Sequence, residues 1–390
     1  MSRWVLGLVL ALSLLLFGSL ILWRTPTSAS LAPAAEQVIT VGRSGCGQGW
    51  TRPDPGPQTL QLRNTGSVTA EAALIDPATG TVYGEVEGLA PGTTRPLEVS
   101  LGNGTYAFRC LPEETDAIVG PSVTITGGQE RSGPAVVPVT GNDLLAPLKA
   151  YKEYVGGGLD TLATDTDALR EAVRSQNRAA AQTAWLTAHL DYERLGAAYG
   201  AFGDSDGAIN GTADGLPAGT TDPGFTGFHR LENGLWHNEA MPALAAVADD
   251  LDTEVHKLRD RFGSAQIDAA DLGLRAHEIM ENTLQFELTG RTDYGSGTGI
   301  ATALANLDGT RAVLNVLRPL LVSRLSALSQ VDDWLNRAEA VLRSVPSPEG
   351  SRPPVAGLDR PRREKINGVI GELTERLAPI AAITEPRRTS

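Results

Sequence analysis

Between Val38 and Ile125 the apolar residues come in short bursts. Gln58-Thr59-Leu60-Gln61-Leu62, Ala72-Ala73-Leu74-Ile75, Thr81-Val82-Tyr83 and Ser122-Val123-Thr124-Ile125 are separated by Asn64-Thr65-Gly66, Asp76-Pro77, Pro91-Gly92 and Asn103-Gly104. Asn and Gly tolerate the positive φ that tight hairpins require, and about seven such runs in ~90 residues predict an antiparallel β-sandwich over residues 37–127. Tyr106-Ala107-Phe108, just before Cys110, reads as an inner strand.

After a Gly- and Pro-rich linker at 128–141 the spacing lengthens. Apolar positions recur three and four residues apart, as at Leu251, Val255, Leu258 and Phe262, which is the period of an amphipathic helix. Helices are expected over Asp143–Tyr154, Asp160–Ser175, Asn177–Tyr199, Met241–Phe262, Ala265–Leu288, Thr298–Leu328, Gln330–Val345 and Arg362–Leu377. The first is expected to stop at Gly156-Gly157-Gly158, because each glycine costs a helix roughly 1 kcal/mol relative to alanine. Short connections between these segments predict an all-α helical bundle over residues 142–385, so the fold class is α+β multidomain. The Gly203–Gly227 stretch is expected to be a long flexible loop, the kind that carries function.

The amino terminus adds an address. Trp4 to Trp23 carries no charge, with Arg3 before it and Arg24 after it. About 20 apolar residues suffice to cross a bilayer. Residues 1–24 therefore read as a membrane anchor or, with Ser28-Ala29-Ser30 offering a cleavage site, a signal peptide, followed by a linker at 25–36. Either reading sends the chain out of the cytoplasm. In that compartment its two cysteines, Cys46 and Cys110, are expected to form a disulfide. A net charge of −13 with only four lysines speaks against nucleic acid as a partner, because phosphate binding runs on Lys and Arg.

All five histidines, His189, His229, His237, His256 and His277, fall in the helical part. His229 and Glu232 are three residues apart, so a helix projects both to one face, and imidazole with carboxylate is a donor set for iron or zinc. Glu193, Asp204 and Asp206 before or within the long loop, and Glu278, Glu281 and Asp293 further on, could add oxygen ligands. The alternative is that Glu193 pairs with Arg194 or Arg230 and the others are solvated helix faces. His237 and His256 read as surface positions, and His189, one turn before Glu193, as a packed or exposed residue with a second ligand as the alternative. No Gly-x-Ser-x-Gly elbow, His-Glu-x-x-His motif or phosphate-binding loop occurs.

Several of these residues carry a resemblance. Gly227-Phe228-His229-Arg230-Leu231-Glu232 with Leu235-Trp236, Tyr192-Glu193-Arg194, Phe202-Gly203-Asp204, Leu288-Thr289-Gly290 and Ala305-Asn306-Leu307-Asp308-Gly309 span most of residues 145–345. In this order they resemble the imelysin-like proteins and, more closely, the EfeO-type envelope components of bacterial iron-uptake systems, which carry a cupredoxin-like sandwich before the helical domain. The resemblance implies an extracytoplasmic protein that binds iron, ferrous or ferric, and passes it to a membrane iron permease, with a haem-containing peroxidase as a third component. Zinc or copper are other ions such a site could take. The family motif places the metal on His229 and Glu232, with Glu193 and Asp293 as further ligands. Two positions depart, since Gly196 and Asn210 stand where many relatives have carboxylates. Residues 25–140 contain neither His nor Met, so no copper site is expected in the sandwich. The rival functions are a metal-dependent, peptidase-like hydrolase in the same pocket and an envelope polysaccharide- or partner-binding module.

Overall fold

In a computed structural model, which describes residues 37–51, 53–129, 135–346 and 353–389, strands come first and helices follow. Eight strands run β1 (Val38–Val41), β2 (Gly56–Asn64), β3 (Ala70–Ile75), β4 (Val82–Leu89), β5 (Thr94–Leu101), β6 (Gly104–Pro112), β7 (Ile118–Val119) and β8 (Val123–Ile125). One sheet has the order β1-β2-β5, with β1 parallel to β2; the other has the order β4-β3-β6-β7, with β8 also pairing β6. Alternate residues of β2, Leu60 and Leu62, point inward and are fully buried. Strand β6 is buried along most of its length, and Cys110 on it forms a disulfide with Cys46, Cα–Cα 5.8 Å apart. That bridge fixes the loop after β1 to the middle of the second sheet, where Trp50 packs edge-on against Phe108 with ring centroids 5.6 Å apart.

Ten helices follow among the described residues: α1 (Gly141–Arg174), α2 (Arg178–Glu193), α3 (Tyr199–Phe202), α4 (Asp204–Asn210), α5 (Gly227–Trp236), α6 (Met241–Phe262), α7 (Asp271–Gln285), α8 (Gly299–Leu321), α9 (Leu328–Arg343) and α10 (Arg360–Thr384). The architecture is α+β, a sandwich followed by a helical domain. A capping box starts α1: Thr140 N–H donates to Asp143 Oδ2 at 2.8 Å and Asp143 N–H to Thr140 Oγ1 at 3.3 Å.

Two local expectations are corrected. Gly156-Gly157-Gly158 does not end a helix; α1 runs through it, because Tyr151, Val155, Leu159 and Leu162 form one buried stripe across the break. Gly158 has a packing reason to be glycine, since a Cβ there would lie 2.6 Å from Leu195 Cδ2. Gly203–Gly227 is not a featureless loop either. It contains α4 and a 3₁₀ turn at Gly219–Thr221, and the Tyr294 hydroxyl accepts the Ala213 N–H at 2.8 Å.

The two parts are joined through the edge strand β4. Val136 exchanges both backbone hydrogen bonds with Val82, and Arg324 holds the Val137 and Pro138 carbonyls from the helical side. After α10 the chain returns to the same place: Arg387 N–H donates to Val139 O at 2.8 Å, and its guanidinium pairs with Glu85 of β4 at 2.9 Å. The apolar segment 4–23 lies outside the described residues; among those described, no helix is long and apolar enough to cross a membrane.

Candidate metal centre

Helix α5 is placed by its first residue. Gly227 adopts φ +71°, and a Cβ there would lie 2.1 Å from Ile209 O, so only glycine lets the start of α5 abut the end of α4. Trp185 of α2 fixes the same turn, its indole N–H donating to Phe228 O at 2.8 Å. His229 and Glu232 are then one turn apart and buried, with His229 Nδ1 3.2 Å from Glu232 Oε2. The other carboxylate oxygen of Glu232 accepts the N–H groups of Tyr294 and Ser296, each at 3.0 Å, and the Ser296 hydroxyl at 2.5 Å. Burial pushes the Glu232 carboxyl up, but the bonds from His229 and Ser296 outweigh it and hold it below the usual range. Both oxygens of Glu232 are therefore engaged, and with Nδ1 held, Nε2 is the His229 nitrogen left for a ligand.

A second His–Glu pair sits opposite with its roles exchanged. His189 on α2 is buried, stacks on Trp185 with centroids 4.8 Å apart, and brings Nε2 to 3.2 Å from Glu193 Oε1. Asn210, at the end of α4, donates to the same oxygen at 2.8 Å. With its amide oriented to suit its neighbours, Asn306 of α8 donates to Glu193 Oε2 at 3.0 Å. Gly309 explains how α8 gets that close: a Cβ there would lie 2.7 Å from Arg194 O. For Glu193, burial raises the carboxyl, and the His189 and Asn210 hydrogen bonds together with the nearby His229 charge bring it below the usual range. The alternative pairings of Glu193 do not form, since Arg194 pairs with Asp191 and Asp308, and Arg230 with Glu239.

Glu193 and His229 wall one cavity of about 440 Å³, which Glu287 also lines. Glu287, in the 3₁₀ turn Glu287–Thr289 after α7, is pushed up to about 8 by burial first and by the charge of Glu193 next. Gly196 and Asn210, the two positions where carboxylates are missing relative to the family pattern, are both on this wall. The remaining sequence candidates lie elsewhere. Asp293 Oδ1 accepts the N–H groups of Gly295 at 2.9 Å and Gly297 at 3.0 Å, shaping the loop that holds Glu232 without lining the cavity. Asp206 accepts the Tyr192 hydroxyl, Asp204 is exposed at the start of α4, and Glu281 pairs with His277 at 3.8 Å, while Glu278 pairs with Arg275. His237 is exposed with Nδ1 on Asn233 O.

Such an arrangement, one imidazole and two carboxylates lining one cavity, is a donor set for a hard or borderline cation. Comparison with known proteins agrees on the lineage. The family model described as imelysin (peptidase M75) matches residues 147–380. The chain belongs to the imelysin family. It is also similar to the iron uptake system component EfeO of Yersinia pestis, 28% identical over 305 residues that cover 77% of this chain and 79% of the relative. EfeO of Escherichia coli O157:H7 is 26% identical over 303 residues, with the same coverage. The cavity residues all fall inside the imelysin match, from Glu193 on α2 to Asn306 on α8.

Glu287 escaped the sequence reading although it stands immediately before Leu288-Thr289-Gly290, one of the motifs that carried the resemblance. A lone Glu between a helix and a Gly turn looks like a solvated helix end. What makes it a site residue is the fold, which turns that helix end toward Glu193.

Proposed function

We propose that this protein is an extracytoplasmic iron-binding component of an iron-uptake system, which captures iron in the cavity walled by Glu193, His229 and Glu287. The observation that carries the reading is the convergence of these three side chains from separate elements on one cavity. Behind them stand Glu232, holding His229, and His189, Asn210 and Asn306, holding Glu193. Partners that position ligands in this way are characteristic of metal sites. The names of the relatives, iron uptake system component, supply the cargo.

In this reading Glu232 positions the imidazole and does not bind the ion. An arriving cation meets His229 Nε2 and the Glu193 carboxylate, and displaces the proton from Glu287. Asn210 at the end of α4, and Thr212 and Asp214 after it, line the cavity as well. Onward delivery is to a membrane iron permease, with a haem-containing peroxidase as the third component. The sandwich serves as the docking or spacing module, with boundaries at 37–127 and 142–385.

Anaerobic calorimetry with ferrous iron, and competition titration with ferric citrate, test the assignment. Combined Glu193→Ala and His229→Ala substitution abolishes stoichiometric binding of both ions while the helical circular-dichroism signal persists. Unchanged affinity in that variant would remove the cavity as the iron site. A gain-of-function arm is available as well: Asn210→Asp restores a carboxylate to the wall and tightens ferric binding.

A further inference from the structure

A separate group of side chains sits where α1 packs on α6. Asp252 and His256 are one turn apart on α6, and Asp167 faces them from α1. His256 Nε2 lies 3.4 Å from Asp167 Oδ2 and 3.6 Å from Asp252 Oδ1, and the three donor atoms are all within 4.8 Å of one another. These separations are long for hydrogen bonds. The two distances from His256 are close to the edge of a tetrahedron drawn about an ion with ligands at ~2.1 Å, which is about 3.4 Å.

The outward oxygens of the two carboxylates are already engaged. Arg170 donates to Asp252 Oδ2 at 2.5 Å and to Asp167 Oδ1 at 2.8 Å, so each Asp turns one oxygen to the guanidinium and the other to His256. An outer partner that orients a carboxylate so that its second oxygen faces inward is the usual support of a metal ligand. An independent observation singles out Asp252: its side chain is only 4% exposed, and Oδ1, the oxygen aimed into the group, accepts no hydrogen bond. The neighbouring Thr166 hydroxyl donates to Ala163 O. A buried carboxylate oxygen left without a donor is costly, and a bound cation supplies what the protein does not.

We infer that Asp167, Asp252 and His256 form a second cation site, taking a divalent first-row transition ion such as zinc between α1 and α6. One imidazole and two carboxylates are a borderline N/O set, and the half-exposed rim formed by His256 and Asp167 leaves a fourth position to water. None of the three lines the iron cavity, so this site stands whether or not the iron assignment holds. Its role is that of a clip between the two helices, in place of a cargo pocket.

The test counts zinc. Wild type and His256→Ala are each titrated with zinc against a chromophoric chelator, and Asp167→Asn repeats the comparison at a more exposed position. His256→Ala binds one equivalent less than wild type, and so does Asp167→Asn, while ferrous binding in the cavity is unchanged in both. Cobalt added to the Glu193→Ala/His229→Ala protein gives the visible absorption of a tetrahedral ion, lost when His256→Ala is added. Equal zinc equivalents in wild type and both variants would overturn the proposal and leave the group as an ion-pair lock around Arg170.

Discussion

Glu193 and Glu232 are the same residue type, each beside a histidine, yet their surroundings differ. The Glu193 carboxylate accepts from Asn210 and Asn306, pairs with His189 and still lines the cavity, whereas both oxygens of Glu232 are engaged, one by His229 and one by the Tyr294 and Ser296 N–H groups. Glu232→Gln keeps the shape but weakens the hold on the imidazole. Calorimetry is expected to show iron affinity about 10–100-fold lower, not abolished. In the proposed site, Glu287 is expected to make iron capture pH-dependent. Its carboxyl is raised from 4.5 to about 8, so between those values the folded protein holds a proton that the unfolded chain has released. Metal-free stability from this group therefore falls as pH rises through that window, and iron affinity rises through it because binding expels the proton. Glu287→Gln is expected to raise Tm at about pH 8 with no gain near pH 5, and to remove the proton release seen by calorimetry in buffers of different ionisation enthalpy. The sequence made His229, Glu232 and Glu193 legible because a helix converts spacing into direction. Glu287 and Asp293 lie after the end of α7, where spacing carries no direction, and there only tertiary structure shows that one reaches the cavity and the other folds back on its own loop.

Among the elements, α6 was readable to the residue, Met241–Phe262, because its apolar stripe is unbroken, Pro242 opens it and Gly263 ends it. Helix α1 was not. Propensity argues for a stop at three glycines, but burial of Tyr151, Val155 and Leu159 on one stripe outweighs about 3 kcal/mol of glycine cost.

 The stripe also sorts the glycines. Gly157 is exposed and a Cβ there meets nothing within 4 Å, whereas one at Gly158 meets Leu195. Gly157→Ala is expected to stabilise the helical domain by about 1 kcal/mol, read as a Tm rise of ~2–4 °C, and Gly158→Ala to give no such gain. The long stretch before α5 was misread for a related reason. Its Gly, Asp and Thr content describes a loop, but seven of its residues, Asp204–Asn210, form α4, whose last residue is the Asn210 that holds Glu193.

At the scale of the whole molecule, the sandwich and the helical domain were legible as two textures, period two and then period three to four, and the order of the two was evident from the sequence. Their junction was not, because it is made by isolated contacts distant in sequence: Val82 with Val136, Arg324 with Val137 and Pro138, and Arg387 with Val139 and Glu85. Arg387→Ala is expected to cost about 1 kcal/mol of coupling and to split a single calorimetric unfolding peak toward two, one for each domain. The same junction has a mechanical consequence. The polypeptide enters the helical domain at Val136 and leaves it at Arg387, and both ends are fastened to one strand, β4. Two anchor points on a common rail let the parts tilt toward or away from each other but resist rotation about the line between them. Whatever surface the sandwich rests on, the mouth of the cavity keeps a set azimuth toward it.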